Sequence, residues 1–171
     1  GTYSYSSARI NTQNKHDFKY GIMEAKMKFP KGQGYLPAFW MMPTNENFYG
    51  QWPKCGEIDI AEVMGQDTKK LYGTIHYGEP HAQSQGTEVL KKGDFSDEWH
   101  TCAVEWEPGS IKWYVDGVLY HEEHSWYSKT TGQGEVTYPA PFDQNFYLIL
   151  NLAVGGSWVG YPDETTSFDS N

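Results

Sequence analysis

The chain has 171 residues, of which 38% are hydrophobic and 16% aromatic, enough for one folded domain with a sizeable core. Its formal net charge of −9 disfavours nucleic acid or an anionic membrane as a partner, because both select clustered Lys and Arg. No apolar stretch is long enough to span a bilayer, and the two cysteines lack metal-binding spacing. We therefore expect a soluble monomer that acts on a neutral or weakly charged ligand.

Short apolar stretches recur along the chain with turn residues between them, a pattern typical of β-sandwiches and barrels. In chain order, the predicted strands are GIMEAKMKF, LPAFWMMP, GEIDIAEVM, YGTIHYG, HTCAVEWEP, SIKWYVDGVLYHEE and FYLILNLAVGG. Met23, Ala25 and Met27 alternate with charged residues in the first strand, so one face of it should be buried. The Asp-Gly dipeptide in the sixth stretch predicts a tight hairpin. No long segment has a helical apolar period, and the prediction is one all-β domain.

The third predicted strand carries three acids at unequal spacing, Glu57, Asp59 and Glu62. Alternation along a strand puts Glu57 and Asp59 on one face and turns Glu62 to the other. A β-bulge near Ile60-Ala61 would add one residue and bring all three acids onto one face. Two glutamates on one face suit a retaining glycosidase, whose two carboxyl groups lie about 5 to 5.5 Å apart. Because three like charges cannot all ionise cheaply, one carboxyl should keep its proton near neutral pH.

The residues alone leave other interpretations of this strand open. Acids on an edge strand can be a solvated face that discourages aggregation, and clustered carboxylates can bind calcium. Trp52 precedes a proline just before the acidic strand, and Trp158 follows a glycine pair in AVGGSWVG. An exposed Trp in such a loop suits stacking on a sugar ring as well as it suits packing.

GEIDIAE resembles the active-site signature of glycoside hydrolase family 16, in the form with one extra residue before the last Glu. Similarity to the family extends over ARINTQ, KYGIMEAKMKFPKGQGYLPAFWMMP, GTIHYG, HTCAVEWEPGSIKWYVDGVLYHE and PFDQNFYLILNLAVGGSWVGYPD. The resemblance implies a β-jelly-roll sandwich of two antiparallel sheets with a concave substrate cleft. NLAVGGSW is most similar to bacterial endo-β-1,3-glucanases, which implies a retaining endo-glycosidase acting on laminarin-type or mixed β-1,3-1,4-glucans. The alternatives are an agarase- or carrageenase-like galactan hydrolase and a non-catalytic glucan-binding lectin.

The resemblance also implies roles for single residues. Glu57 would be the nucleophile, Glu62 the general acid/base, and Asp59 the residue that assists Glu57. The candidate substrate-binding residues are Arg9, Trp40, Trp52, His76, Trp106, Asn151 and Trp158. Trp106 is placed on a strand that neighbours the acidic strand, where it would lie either in the core or in the cleft. His76 is expected near the acid/base, and the other five histidines are expected at surface or turn positions.

In a sheet of this family, Cys55 and Cys102 would lie on strands separated by the GTIHYG strand. That spacing places them about 9 to 10 Å apart, beyond disulfide reach, so two free thiols are predicted. No cofactor is implied, and no ligands are assigned to the family's frequent structural calcium. Segments resembling the family's first strands and its closing strand are absent, so we expect a single catalytic domain over 1–171 without them. Because polysaccharides do not enter cells, an extracellular or periplasmic location is expected.

Overall fold

A computed structural model describes residues 2–130 and 134–169 as two antiparallel β-sheets packed face to face, beside one small ladder. The six-stranded sheet has the order β1 (Ala8–Asn11), β12 (Phe146–Val154), β3 (Tyr35–Pro43), β4 (Glu57–Val63), β5 (Lys70–Tyr77) and β6 (Ala82–Val89). The four-stranded sheet has the order β2 (Gly21–Met27), β7 (His100–Glu107), β8 (Ser110–Val115) and β9 (Val118–Glu123). The small ladder pairs β10 (Ser128–Thr130) with β11 (Gly134–Val136).

Every predicted strand is present, and the described residues contain no helix, so none crosses a bilayer. Asp116 and Gly117 both have positive φ, as expected of a tight two-residue turn between β8 and β9. The prediction missed β1, β6 and the small ladder. β6 reads AQSQGTEV and alternates between half-buried and exposed positions, so it lacks the apolar stretch by which the other strands are recognised.

Alternation along the strands places one face of each sheet in a shared core. Met23 on β2 is buried as predicted, with its charged neighbours exposed. From the six-stranded sheet the core receives Phe39, Ile58 and Ile75, and from the four-stranded sheet it receives Trp113 among others. The opposite face of the six-stranded sheet is therefore free to carry polar groups.

The four-stranded sheet does not cover the whole of the six-stranded sheet. β7 packs against β4 and β9 packs against β6, at one side of the sandwich. At the other side, Leu150 on β12 pairs with the core residue Phe39 but is 39% exposed. Its partner on β1, Ile10, is 68% exposed. The inner face of β1 and β12 is thus less well packed than that of β4 and β5.

The two cysteines are free and buried, which confirms the predicted thiols. The reason given for that prediction is wrong. Cys102 lies on β7 in the four-stranded sheet, whereas Cys55 precedes β4 in the six-stranded sheet. The two residues therefore do not lie on strands of one sheet separated by β5. The sequence could not show this, because the alternation along β7 is compatible with either sheet of a sandwich.

Candidate active site

The predicted bulge lies within β4. Asp59 and Glu62 are three residues apart, but their partners on β5 are only two residues apart. Ile60-Ala61 therefore face a single β5 residue, Gly73. The register with β3 shifts at the same place, where Ile60 is the residue left over. This confirms the bulge and explains the uneven spacing of the acids.

The bulge lies on a central strand, since β4 pairs with β3 on one side and β5 on the other. That position rules out the solvated edge-strand interpretation of the acids. Glu57 and Glu62 are half-buried, while Asp59 between them is only 2% exposed. The charges of Glu57 and Glu62 both raise the pKa of Asp59, and the charge of Glu57 raises the pKa of Glu62. The three carboxyls therefore share one site.

Glu57 is held by the loop that precedes β4. The indole Nε1 of Trp52 donates a hydrogen bond of 2.6 Å to Oε2 of Glu57. Burial raises the pKa of Glu57, and hydrogen bonds with Asp59 and Trp52 oppose that rise. Because Trp52 is itself 46% exposed, its ring also offers a surface to a ligand lying over the acids.

Asp59 has the most perturbed environment of the three acids. Burial, followed by the charges of Glu62 and Glu57, raises its pKa well above the usual range. Nε2 of His76 lies 3.2 Å from Oδ2 of Asp59, yet this buried oxygen accepts no hydrogen bond of good geometry. Burial and the neighbouring charges therefore favour the protonated form of Asp59, and its hydrogen bond with Glu57 lowers the pKa of Glu57.

His76 pairs with Glu57 across β4 and β5, so it faces the predicted nucleophile, whereas Glu62 pairs with Tyr72. Burial, followed by the charge of His81, lowers the pKa of His76 to about 4, and the ring is neutral at ordinary pH. Nδ1 of His76 lies 2.8 Å from Nε2 of His81, and the two rings stack with centroids 5.1 Å apart.

His81 is a site residue that the sequence analysis missed. It lies at a turn, as predicted, but its ring centroid is 5.1 Å from that of Trp52. The available signal was its position five residues after His76, at the end of a glycine- and proline-containing turn that folds the chain back. His100 and His121 depart from the predicted surface or turn positions, because His100 is half-buried on β7 and His121 lies on β9, where it stacks on Trp113.

Glu62 lies at the other end of the bulge. Burial, followed by the charge of Glu57, raises the pKa of Glu62 to about 7. Trp158 is 46% exposed and packs edge-on against Tyr72, the β5 partner of Glu62, with ring centroids 5.2 Å apart. Trp52 and Trp158 thus flank the two ends of the acidic strand. The sequence predicted this position for Trp52, whose loop precedes the strand, but not for Trp158.

Arg9, Trp40 and Asn151 form a second group beside the acids. Trp40 pairs with Asp59 and donates from Nε1 to Oδ1 of Asn151 at 2.7 Å. The guanidinium of Arg9 lies 4.8 Å from the centroid of the Trp40 ring, and Arg9 pairs with Asn151 across β1 and β12. The structure therefore brings these three predicted binding residues together.

Trp106 is not part of the site. It is fully buried on β7, in the four-stranded sheet, and its Nε1 donates to the carbonyl oxygen of Phe142 at 3.1 Å. The prediction that its strand neighbours the acidic strand is wrong, and so is its assignment to substrate binding. Of the two positions that the sequence left open, Trp106 occupies the core.

Glu57, Asp59 and His76 could also hold a metal ion, since one ligand atom from each lies within 4.8 Å of the others. The donors do not suit calcium well, because calcium prefers six to eight oxygen ligands and one donor here is an imidazole nitrogen. One oxygen of Glu57 already accepts a hydrogen bond from Trp52, and burial disfavours the ionised form of Asp59 that a cation needs. The set fits proton transfer among carboxyls better than cation binding.

Residues 2–168 match the family described as Glycosyl hydrolases family 16. The chain is 42% identical over 162 residues to glucan endo-1,3-beta-glucosidase A1 of Niallia circulans, covering 91% of this chain and 23% of that protein. It is 39% identical over 163 residues to glucan endo-1,3-beta-glucosidase of Cryptopygus antarcticus, covering 91% of this chain and 57% of that protein. The laminarinase catalytic domain of Thermotoga maritima has a TM-score of 0.79 and 42% identity, covering 98% of this chain and 66% of that chain.

The likeness to the laminarinase domain confirms the predicted jelly-roll sandwich. The chain spans less than two thirds of the length of both curated relatives. The prediction of a single catalytic domain without the family's terminal strands stays a prediction.

Proposed function

This chain belongs to glycosyl hydrolase family 16, and from that premise we propose that it is a retaining endo-glycosidase cutting β-1,3-glucosidic bonds in laminarin-type glucans. The observation that carries the proposal is the bulge in β4, which puts Glu57, Asp59 and Glu62 into one site with different pKa shifts. The names of the curated relatives support a β-1,3-glucan as substrate. We also propose an extracellular or periplasmic location, because a polysaccharide does not enter cells.

In the first step, Glu57 attacks the anomeric carbon while Glu62 gives its proton to the departing glycosidic oxygen. A pKa of about 7 keeps Glu62 protonated at neutral and mildly acidic pH, as a general acid requires. The C–O bond to the leaving sugar breaks and an ester bond to Glu57 forms. The N–H of Trp52 and the proton on Asp59 orient the attacking carboxylate and lower its basicity.

In the second step, Glu62 is ionised and takes a proton from water. The water attacks the anomeric carbon, the ester bond to Glu57 breaks, and the sugar leaves with its original configuration. The proton on Asp59 stabilises Glu57 as it leaves as a carboxylate. Asp59 therefore assists both steps without touching the sugar bond that breaks.

Exposed aromatic rings would hold the sugar chain over the acids. Trp52 lies beside Glu57 and Trp158 lies beside the partner of Glu62, so a chain stacked on both would pass across the acidic strand. Arg9 and Asn151 lie next to Trp40 and are placed to bind hydroxyl groups. A neutral glucan suits this surface on a chain of net charge −9 better than a sulfated galactan does.

The test is incubation with laminarin, lichenan, agarose and carrageenan, followed by an assay of new reducing ends. We expect release from laminarin, with lichenan as a second substrate. Release from agarose or carrageenan alone would replace the proposal with the galactan hydrolase. Binding to laminarin with no release from any polymer would support the non-catalytic lectin.

A further inference from the structure

The bulge in β4 is contacted from behind by the other sheet. Trp113 lies on β8, fully buried, and its indole Nε1 donates a hydrogen bond of 2.9 Å to the backbone carbonyl oxygen of Asp59. A bulge interrupts the regular pairing of its strand, and a buried carbonyl oxygen needs a donor. Trp113 supplies that donor at the residue where the register of β4 shifts.

Two glycines, one on β5 and one on β6, make this contact possible because they have no side chain. Gly73 is the β5 residue that faces Ile60-Ala61, and a Cβ on it would lie 2.5 Å from Cδ1 of Trp113. Gly86 pairs with Gly73, and a Cβ on it would lie 2.3 Å from Cβ of His121. Both distances are too short for real atoms, so the glycine pair leaves the space that Trp113, His121 and the hydroxyl of Tyr120 occupy.

The space beside these glycines is filled by stacked rings. The ring of His121 stacks on that of Trp113 with centroids 4.7 Å apart and an interplanar angle of 27°. The indole is therefore held on one side by His121 and on another by the backbone at Gly73. This packing fixes the direction of the Nε1–H bond toward Asp59.

We propose that Trp113 is a positioning residue that holds the bulge in β4 in register and thereby sets where Glu62 lies relative to Glu57. A slip of one residue would turn Glu62 to the opposite face, because side chains alternate along a strand. The backbone of Asp59 lies between the two glutamates, so a bond to its carbonyl fixes the segment that spaces them. The consequence for catalysis rests on the proposed function, but the register itself does not.

The chain offers a matched control in Trp106. Both tryptophans are fully buried in the four-stranded sheet, and both donate from Nε1 to a backbone carbonyl. The acceptor of Trp106 is Phe142, which lies outside β4, whereas the acceptor of Trp113 is at the bulge. Trp106→Phe and Trp113→Phe therefore remove comparable packing and one indole donor each, but only Trp113→Phe removes a hydrogen bond to the acidic strand.

The experiment measures kcat and KM on laminarin for both variants, at a temperature where each is folded by circular dichroism. We expect Trp113→Phe to lower kcat by about 10- to 100-fold, the effect of a small misplacement of reacting groups, with KM nearly unchanged. Trp106→Phe should stay within about twofold of the wild type in both constants. Equal kcat values for the two variants would overturn the proposal.

A second measurement separates this proposal from the proposed function. The carboxyl of Glu62 is titrated by ¹³C NMR without substrate, and we expect its pKa to move in Trp113→Phe and to stay at the wild-type value in Trp106→Phe. If the wild type cuts no glucan, the proposed function fails while this titration still tests the positioning role. An unchanged Glu62 titration in Trp113→Phe would overturn the positioning role even in an active enzyme.

If Trp113→Phe does not fold, Gly73→Ala keeps the indole but puts a methyl group where Cδ1 of Trp113 and the hydroxyl of Tyr120 lie, and it should reproduce both the loss of kcat and the shifted titration. The wild type provides a check that needs no variant. A scalar coupling across the hydrogen bond between ¹⁵Nε1 of Trp113 and the carbonyl ¹³C of Asp59 should be detectable. Its absence under conditions where the coupling of Trp106 to Phe142 is seen would contradict the proposal.

Discussion

The two edges of the six-stranded sheet, β1 with β12 and β4 to β6, differ in how closely the four-stranded sheet packs against them. Behind β4, β5 and β6, the four-stranded sheet packs closely and even bonds to the backbone of the acidic strand. Behind β1 and β12, Leu150 and Ile10 remain partly exposed among the described residues. We call these the covered side and the open side. The acids lie on the covered side, while Arg9 and Asn151 lie on the open side.

The difference in packing matches the roles proposed for the residues on the two sides. A nucleophile and a general acid must be held to a fraction of an ångström, so their strand benefits from a rigid layer behind it. Groups that bind sugar hydroxyls tolerate small movements, because a hydrogen bond can be made over a range of distances. We therefore expect changes on the covered side to alter kcat and changes on the open side to alter KM.

The largest effect is expected from Glu57→Ala on the covered side. Removing the nucleophile should lower kcat on laminarin by at least about 10⁴-fold, as loss of a nucleophile does elsewhere. The matched control is Glu62→Ala with added azide, which should give a β-linked glycosyl azide because azide needs no general base. An α-linked azide from Glu62→Ala would reverse the assigned roles, and full activity of this variant on laminarin would show that Glu62 is not the general acid/base.

The two sides should also differ in their contribution to stability. Ile75 on β5 is fully buried, whereas Leu150 on β12 is partly exposed. We expect Ile75→Ala to lower the free energy of unfolding by about 2 to 5 kcal/mol and Leu150→Ala by about 1 kcal/mol or less. Urea denaturation of the 171-residue chain measures both. Equal losses would mean that the open side is as well packed as the covered side.

The pH dependence of kcat/KM should report Glu62. Its pKa is raised to about 7, so the general acid is protonated below that pH and loses its proton above it. Activity should therefore fall about tenfold per pH unit on the basic side of 7. The free energy of unfolding should also fall as pH rises. Folding raises the pKa of Glu62 from 4.5 to about 7, so the contribution of this carboxyl to stability decreases between these two pH values.

Glu62→Gln provides the control for the stability effect, because the amide does not titrate. The melting temperature of the wild type should fall relative to that of Glu62→Gln as the pH increases through this window. A constant difference between the two melting temperatures would contradict the raised pKa.

The smallest effect is expected on the open side. Arg9→Ala removes the guanidinium over Trp40 and should raise KM on laminarin by about five- to tenfold, with kcat within about twofold. Arg9→Lys keeps the positive charge but not the planar group, so its KM on laminarin should lie between those of the wild type and Arg9→Ala. A loss confined to kcat would mean that the open side also positions the reacting groups, and the comparison would fail.

Patterns along the chain predict most of the strands and the acidic residues that they carry. Apolar stretches between turn residues located β2 to β5, and the uneven spacing of Glu57, Asp59 and Glu62 required the bulge that β4 contains. The proline after Trp52 placed that residue in the loop just before the acids. These features are local, because a period of two and a break in it can be read along a single strand.

The layer that each strand joins, and the contacts between the two sheets, depend on the packing of the whole chain. β7 alternates equally well in either sheet, so Trp106 and Cys102 could not be assigned before the pairing of β2 with β7 was known. His81 joins the site because a turn folds it back, and Trp113 reaches Asp59 because two glycines leave room for its ring. Such contacts depend on the packing of residues far apart in the chain, and no pattern within one strand encodes them.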